Sequence, residues 1–401
     1  MAALRLSQFY SLMHATVPVR RVLTEEILAS RVPAPGAVAR LRETLETLEA
    51  IPEEPAGRRL ALEEGRPIHV DLGYEIAELK KDLVYLDRGE EALLDDLADR
   101  HTGFREDLQA VAAALGDTAF QTLVTDRDGT TNNYCGRYAS SVQSAYNAVF
   151  LTRFARARAR RSVILTSAPL EGIGLADMTV SPPEAFTCTG SKGREYLDPE
   201  GRRRQYPIEA AQQAKLDLLN RELDDLLVEP GYKVFTLIGS GLQHKFGQTT
   251  IARQDIAGSV PAERSERFGK EVRRLVRSVD PEDVFFRIED TGLDIEILLT
   301  VEDAEGGTTR DFDKGDGVRF LNADLQLQLD RGPCLICGDT GSDLPMLRSS
   351  LELAPETKAI FVTRDDMLRN QVRQLLPDAA FVREPDALVA ALNGAARRTR
   401  A

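Results

Sequence analysis

Five short apolar runs, at residues 120–125, 162–166, 334–337, 358–363 and 379–383, decide what this chain can fold into. They are too short for helices and read as strands buried on both faces, the parallel-sheet type. Helical stretches at 140–160 and 385–392 lie among them, and strands alternating with helices are the mark of βαβ units. Between about residues 172 and 313 the texture changes. Runs at 234–240, 249–253, 284–288 and 293–300 read as strands segregated from two helices, an α+β insert within the α/β unit. The 401 residues also carry a charged, Leu/Ala/Glu-rich N-terminal stretch with apolar residues at helical spacing, as at 37–50, and further helices near 89–97 and 106–115. Pro33, Pro35, Gly36 and residues 52–57 punctuate it. The expected organisation is an N-terminal helical region (1–115), an α/β core (116–170 and 312–401) and an α+β cap (171–311).

Composition narrows the function classes. With 51 Lys+Arg against 64 Asp+Glu the net charge is −13, which argues against a broad nucleic-acid or anionic-membrane surface. No stretch approaches the roughly 18 apolar residues of a membrane span, and no signal-peptide pattern opens the chain, so a soluble, cytoplasmic protein is expected. Four scattered cysteines, Cys135, Cys188, Cys334 and Cys337, do not make a disulfide scaffold. Cys334 and Cys337 have redox or zinc spacing, but positions i and i+3 of a strand face opposite ways, so core packing is expected there. His14, His69, His101 and His244 form no evident metal or triad constellation. The arginine runs at 156–161 and 202–204 read as solvated faces.

Chemistry gathers where the apolar runs end, since ligands of α/β sheets collect at the carboxyl ends of strands. Asp126 and Asp128 follow the run at 120–125, with Gly129 suited to a tight turn. A carboxylate can attack phosphorus while a second one protonates the leaving oxygen and then activates water. Alone, Asp-x-Asp-Gly equally fits ordinary turn chemistry. Asp339 and Asp343 follow the run at 334–337 as hard oxygen donors of the kind Mg²⁺ takes. Lys314, followed by Gly315 before a helix, offers a cation for phosphoryl oxygens. Thr166 and Ser167 end a further strand with hydroxyls that can donate to the same group.

Together and in this order, the four segments resemble the haloacid dehalogenase superfamily. The size and position of the insert resemble its large-cap (type IIB) sugar phosphatases, those related to trehalose-6-phosphate and glucosylglycerol-phosphate phosphatases. The resemblance covers about residues 118–395 and implies a Rossmann-like core with a parallel sheet and an α+β cap. It implies Asp126 as nucleophile, Asp128 as general acid/base, and Thr166 or Ser167 with Lys314 on the phosphoryl group. Mg²⁺ would sit on Asp126, Asp339, Asp343 and the backbone carbonyl of Asp128. The chain departs from the family at Thr166-Ser167-Ala168, where Thr-Gly-Arg is frequent, which leaves the choice between Thr166 and Ser167 open. Lys245, Arg253 and Glu296 loosely resemble the family's sugar-binding cap residues. The expected activity is Mg²⁺-dependent hydrolysis of a small phosphorylated sugar or glycoside, with trehalose 6-phosphate and glucosylglycerol phosphate the first substrates to try. A sugar phosphomutase and a non-catalytic phosphosugar-binding regulator are the alternatives. The N-terminal helices fit self-association, shielding of the core or docking to a synthase.

Overall fold

The computed structural model describes residues 4–62, 65–302, 309–354 and 356–398. The N-terminal region opens with α1 (Leu6–Leu28) and α2 (Pro35–Glu49). Pro35 stands in the first turn of α2, where a missing N–H costs nothing, and Ala37, Leu41, Leu45 and Leu48 form its buried stripe. A small antiparallel meander follows, β1 (Glu53–Glu54), β2 (Gly57–Ala61) and β3 (Pro67–Val70). The helical expectation for 1–115 did not include it, because the punctuation at 52–57 is a hairpin rather than an interhelix loop. Gly57, at φ +115°, lies so near the Val70 backbone that a Cβ would come within 3.0 Å. The helix expected at 89–97 is the second half of a longer one, α3 (Gly73–Arg100), broken at Gly89, where φ is +86°. α4 (Phe104–Leu115) completes the region.

The core begins with β4 (Phe120–Thr125), α5 (Ala145–Arg158), β5 (Ala159–Leu165) and the short α6 (Leu175–Met178). The chain then adds β6 (Thr187–Gly190), β7 (Glu195–Leu197) and β8 (Arg203–Gln205) to the same sheet. We therefore place the start of the insert after Gln205 rather than at 171: polar, short and partly exposed strands carry little hydrophobic signal, and pairing alone assigns them to the core.

The insert holds α7 (Ala210–Val228), β9 (Leu242–Lys245), β10 (Gln248–Ala252), α8 (Ala262–Val279), β11 (Phe286–Asp290), β12 (Asp294–Glu302) and β13 (Thr309–Asp311). Its antiparallel sheet runs β11-β12-β10-β9, with β13 extending β12. The strand expected at 234–240 is instead a 3₁₀ turn, Lys233–Thr236, followed by glycines at positive φ, Gly239 and Gly241. Its apolar residues serve packing: the Phe235 ring stacks on Phe268 of α8 at 3.9 Å between centroids.

The chain returns to the core through α9 (Lys314–Asp324), β14 (Cys334–Gly338), α10 (Leu344–Leu353), β15 (Thr357–Val362), α11 (Asp366–Leu375), β16 (Ala380–Val382) and α12 (Pro385–Arg398). The eight strands stand in the order β16-β15-β14-β4-β5-β6-β7-β8, parallel from β16 to β6 and antiparallel beyond. From β4 the chain moves outward to β5 and later returns to β14 on the other side. That reversal opens a crevice at the carboxyl ends of β4 and β14, where α/β sheets bind ligands.

The N-terminal helices spend their apolar faces inside the chain. Leu93 and Leu97 of α3 and Val111 and Leu115 of α4 share a core with Phe150 and Phe154 of α5 and Leu388 and Leu392 of α12. Phe9, Met13 and Leu23 of α1 join a second core that reaches into the cap, and the Tyr10 hydroxyl donates to the cap carbonyl of Leu237 at 2.8 Å. These contacts tie the N-terminal region to both the core and the cap. Among the described residues, no helix is long and apolar enough to cross a membrane.

Candidate active site

Asp126 follows directly on β4, and its N–H donates to the carbonyl of Cys337 on neighbouring β14 at 2.9 Å. The sheet itself thus sets its backbone. Its carboxylate is buried and accepts from the Lys314 ammonium at 2.7 Å, while the same ammonium reaches Asp343 at 2.5 Å. Lys314 is the first residue of α9, held there by Asp313, whose side chain caps the N–H groups of Gly315 and Asp316. The Asp343 carboxylate also accepts the N–H groups of Asp339 and Thr340, both at 3.0 Å. Thr130 donates to Asp339 at 2.8 Å and lies 3.3 Å from Asp126. One oxygen each from Asp126, Asp339 and Asp343 lie within 4.8 Å of one another. Gly129 makes this approach possible: at φ +85°, a Cβ there would stand 2.2 Å from an Asp339 oxygen.

Three carboxylates around one ammonium are short of positive charge. Burial, with Lys314 only partly offsetting it and Asp343 and Asp128 adding to it, pushes the Asp126 carboxyl up to about 6. Burial and the neighbouring Asp126 and Asp343 push Asp339 up to about 9. Burial pulls the Lys314 ammonium down, but Asp126 and Asp343 outweigh it and hold its pKa above the ordinary value. Hard oxygen donors in a charge-deficient cluster of this size suit a small divalent cation such as Mg²⁺.

Asp128 stands apart from that cluster. Its Oδ1 accepts from the buried Arg127 guanidinium at 2.5 Å and from the Ser141 hydroxyl at 3.2 Å, with its carboxyl at the cleft. Thr166 and Ser167, beyond the end of β5, line the same cleft of about 280 Å³. The Thr166 hydroxyl already accepts from the N–H of Ala168 at 3.2 Å.

The cap supplies the facing wall through Ser240, Gln243, Lys245, Asp255, Ile256 and Asp294. Lys245 is buried, and burial pulls its ammonium down to about 8 despite Glu296 and Asp294 nearby. Of the other two expected cap residues, Glu296 accepts from Gln248 at 2.8 Å and stands 3.8 Å from Lys192, behind the lining. Arg253 does not reach the cleft: Asp290 binds it at 2.6 Å and Ser265 at 3.1 Å. Arg253 sits just past the end of β10, and strand position alone does not say where a long side chain finds its partner. Sequence reasoning missed Arg127, Thr130 and Ser141, although two of these lie inside the Asp-x-Asp-Gly-Thr motif. It also missed Arg137, which ties the core loop to Asp255 of the cap at 2.6 Å and carries no local signal.

Comparison with known proteins supplies the family. The sequence model for "Trehalose-6-phosphate phosphatase, C-terminal" matches residues 123–388, and that for its N-terminal helical bundle domain matches residues 5–100. A protein of Aphelenchoides avenae named alpha,alpha-trehalose-phosphate synthase [UDP-forming] 1 is 33% identical over 92% of this chain and 33% of its own length. This chain thus spans about a third of the length of such relatives. Trehalose-phosphatase of Brugia malayi is 36% identical over 68% of this chain and 56% of its own; that of Caenorhabditis briggsae is 27% identical over 97% and 96%. A solved structure of a trehalose-6-phosphate phosphatase related protein overlays with a TM-score of 0.46 at 13% identity, covering 69% of this chain and 97% of that one. With residues 123–388 and 5–100 matched by its two domain models, the chain belongs to the trehalose-6-phosphate phosphatase family.

Proposed function

We propose that this protein is a Mg²⁺-dependent phosphatase of a phosphorylated sugar, trehalose 6-phosphate first among candidates, working through an aspartyl phosphate at Asp126. The observation that carries the reading is the Asp126 carboxylate, buried between the Lys314 ammonium and Asp339/Asp343 at the floor of a cleft roofed by the cap. Asp126 attacks phosphorus, the bond from phosphorus to the sugar oxygen breaks, and Asp128 gives that oxygen its proton. In the second half, Asp128 takes a proton from water as the water attacks phosphorus, the acyl phosphate bond breaks, and phosphate leaves. Lys314 with Thr166 or Ser167 holds the phosphoryl oxygens, and Arg127 and Ser141 fix the Asp128 carboxyl at the cleft. Asp126 and Asp339, backed by Asp343 and the Asp128 carbonyl, would hold Mg²⁺, whose charge lets a carboxylate and a phosphate approach each other.

In the cap, Lys245 meets the sugar phosphate, while Arg253 belongs to the cap's own framework. The family membership and the trehalose-phosphatase relatives support this substrate class. The test is phosphate release from trehalose 6-phosphate, glucosylglycerol phosphate, sucrose phosphate and glucose 6-phosphate, with Mg²⁺ and with EDTA. Mg²⁺-dependent release by the wild type, absent in a folded Asp126→Asn variant, is the expected result. Robust release by that variant would discard the aspartyl-phosphate mechanism.

A further inference from the structure

The arginine runs at 156–161 and 202–204 are separated in sequence by β6 and β7, and the fold brings them together. Both border a groove of about 680 Å³ at the amino ends of β5 and β6, the end of the sheet opposite the catalytic carboxylates. Arg160 and Arg161 come from the start of β5, Arg202 and Arg204 from β8 and the residue before it, and Asp324 and Leu325 from the far end of α9. The groove therefore lies at the opposite ends of the two elements that carry Thr166, Ser167 and Lys314 into the cleft.

The carboxylates in its wall are already engaged. Glu184 binds Arg156 at 2.7 Å, Asp198 and Glu200 bind Arg202 at 2.7 and 3.3 Å, and Asp324 accepts from the Tyr196 hydroxyl. Arg161 donates to the Leu325 carbonyl at 3.1 Å. Arg160 and Arg204, both exposed, have neither an ion pair nor a hydrogen bond from their side chains among the described residues. With Arg156, five guanidinium groups stand here against four carboxylates, a local positive excess in a chain of net charge −13. Thr187, at the start of β6, supplies an independent sign. It is 7% exposed and lines the groove, and its hydroxyl has no hydrogen-bond partner among the described residues. Unlike the sealed hydroxyls of Thr24 and Thr152, it keeps accessible surface. Strand register sets Thr187, Arg161, Tyr196 and Arg204 on one face of the sheet. Free guanidinium groups and an unpaired hydroxyl make a donor set without an acceptor. Guanidinium forks match the oxygens of phosphate, and donors arriving from separate strands suit a tetrahedral anion better than a planar carboxylate. The volume exceeds that of the anion alone and is in the ordinary range for small-molecule sites.

We propose that this groove binds a phosphate group, free or carried by a small ester, with Arg160, Arg204 and the Thr187 hydroxyl donating to its oxygens. It is a second anion site, at the far end of the sheet from the cleft, and it does not depend on the phosphatase reading.

The experiment is calorimetric titration of the full chain, free of divalent metal, with inorganic phosphate and with glucose 6-phosphate. The proteins are the wild type, the double variant Arg160→Ala/Arg204→Ala, Thr187→Val and, as the control at the cleft, Lys314→Met. Arg204→Gln alone replaces the double variant if that does not fold. The wild type should bind saturably, the arginine variant should lose roughly ten-fold or more in affinity, Thr187→Val should lose less, and Lys314→Met should bind as the wild type does. Equal affinity for the two probes assigns the site to the phosphate group itself, and tighter binding of glucose 6-phosphate assigns it to an ester. No saturable binding of either probe overturns the proposal. So does an affinity that the arginine and threonine variants leave unchanged, or one that falls only in Lys314→Met. The titration needs no turnover, so absence of phosphate release from every ester would sink the phosphatase reading alone.

Discussion

Lys245→Met should make the protein more stable and a poorer enzyme. The Lys245 ammonium lies inside the cap wall, and burial lowers its pKa from 10.5 to about 8, with Lys192 adding to the effect and Glu296 and Asp294 opposing it. Below pH 8 the side chain is charged in both folded and unfolded chains, and the folded one carries the whole penalty. A gap of that size corresponds to about 3 kcal/mol at pH 7. Between pH 8 and 10.5 the folded chain sheds its proton while the unfolded chain still holds one, so the penalty shrinks with rising pH and ends above 10.5. Methionine keeps the length and flexibility of the stem without the charge. With an unfolding entropy of about 2.1 cal/mol/K per residue over 401 residues, 1 kcal/mol is worth roughly 1 °C, so the variant should melt about 3–4 °C higher at pH 7, with the advantage fading toward pH 10.5.

The assay is thermal unfolding of both proteins, side by side, from pH 6 to 10.5. Equal or lower stability of the variant at pH 7, or a difference that does not change with pH, would refute the reasoning. On the proposed function the same residue meets an anionic substrate, so KM for trehalose 6-phosphate should rise about ten-fold in the variant. The wild-type KM should climb as pH passes about 8, because there the ammonium is lost.

Gly129→Ala must take a left-handed φ, costing about 1–2 kcal/mol, and must move Asp339 away from a Cβ that would sit 2.2 Å from its oxygen. Phosphate release should fall by about 100-fold or more with the circular dichroism spectrum kept, and a wild-type rate would show that the Asp339 position is not needed. Lys314→Met leaves Asp126, Asp339 and Asp343 crowded with no ammonium. In EDTA its melting temperature should drop by roughly 4–6 °C, from about 3–5 kcal/mol for a broken buried pair at roughly 1 °C per kcal/mol in a chain of this length. Mg²⁺ should recover part of the loss, and a melting curve in EDTA identical to the wild type would contradict the electrostatics described above.

The core and its motifs were legible because their physics is local. An apolar run of four to six residues that breaks into Asp and Gly announces a buried strand and its carboxyl end together, and β4 and β14 stand where the runs at 120–125 and 334–337 put them. The run at 234–240 misled for the opposite reason: its Val and Phe are apolar to pack on Phe268, and Gly239 and Gly241 turn the chain out of extension. The strands β6 to β8 were hidden in polar sequence, and only hydrogen bonding to β5 and to one another reveals them. Among side chains, Asp126, Asp128, Thr166, Ser167, Lys314 and Asp339 all reach the cleft, since a strand end or helix start fixes where each points. Arg253 and Glu296 do not line it, because each is turned to a partner within the cap, Asp290 and Gln248, that the sequence spacing does not reveal.

The N-terminal region marks the deeper limit. Helical periodicity states that one face of α1 or α3 is buried, without stating what buries it. A self-association face, a docking face and a shielding face have the same sequence pattern. What the pattern does not name are the intrachain partners, which lie hundreds of positions away: Lys81 of α3 bonds Asp386 of α12 at 2.9 Å, and Tyr10 of α1 bonds Leu237 of the cap. Asn133, five residues after Asp128, bonds both Glu78 and Asp386, at 2.9 and 2.8 Å. The helices thereby hold the loop that carries Ser140 and Ser141, and Ser141 in turn holds Asp128. A region with no chemistry of its own in the sequence is thus coupled, two hydrogen bonds deep, to the residue proposed as the acid and base.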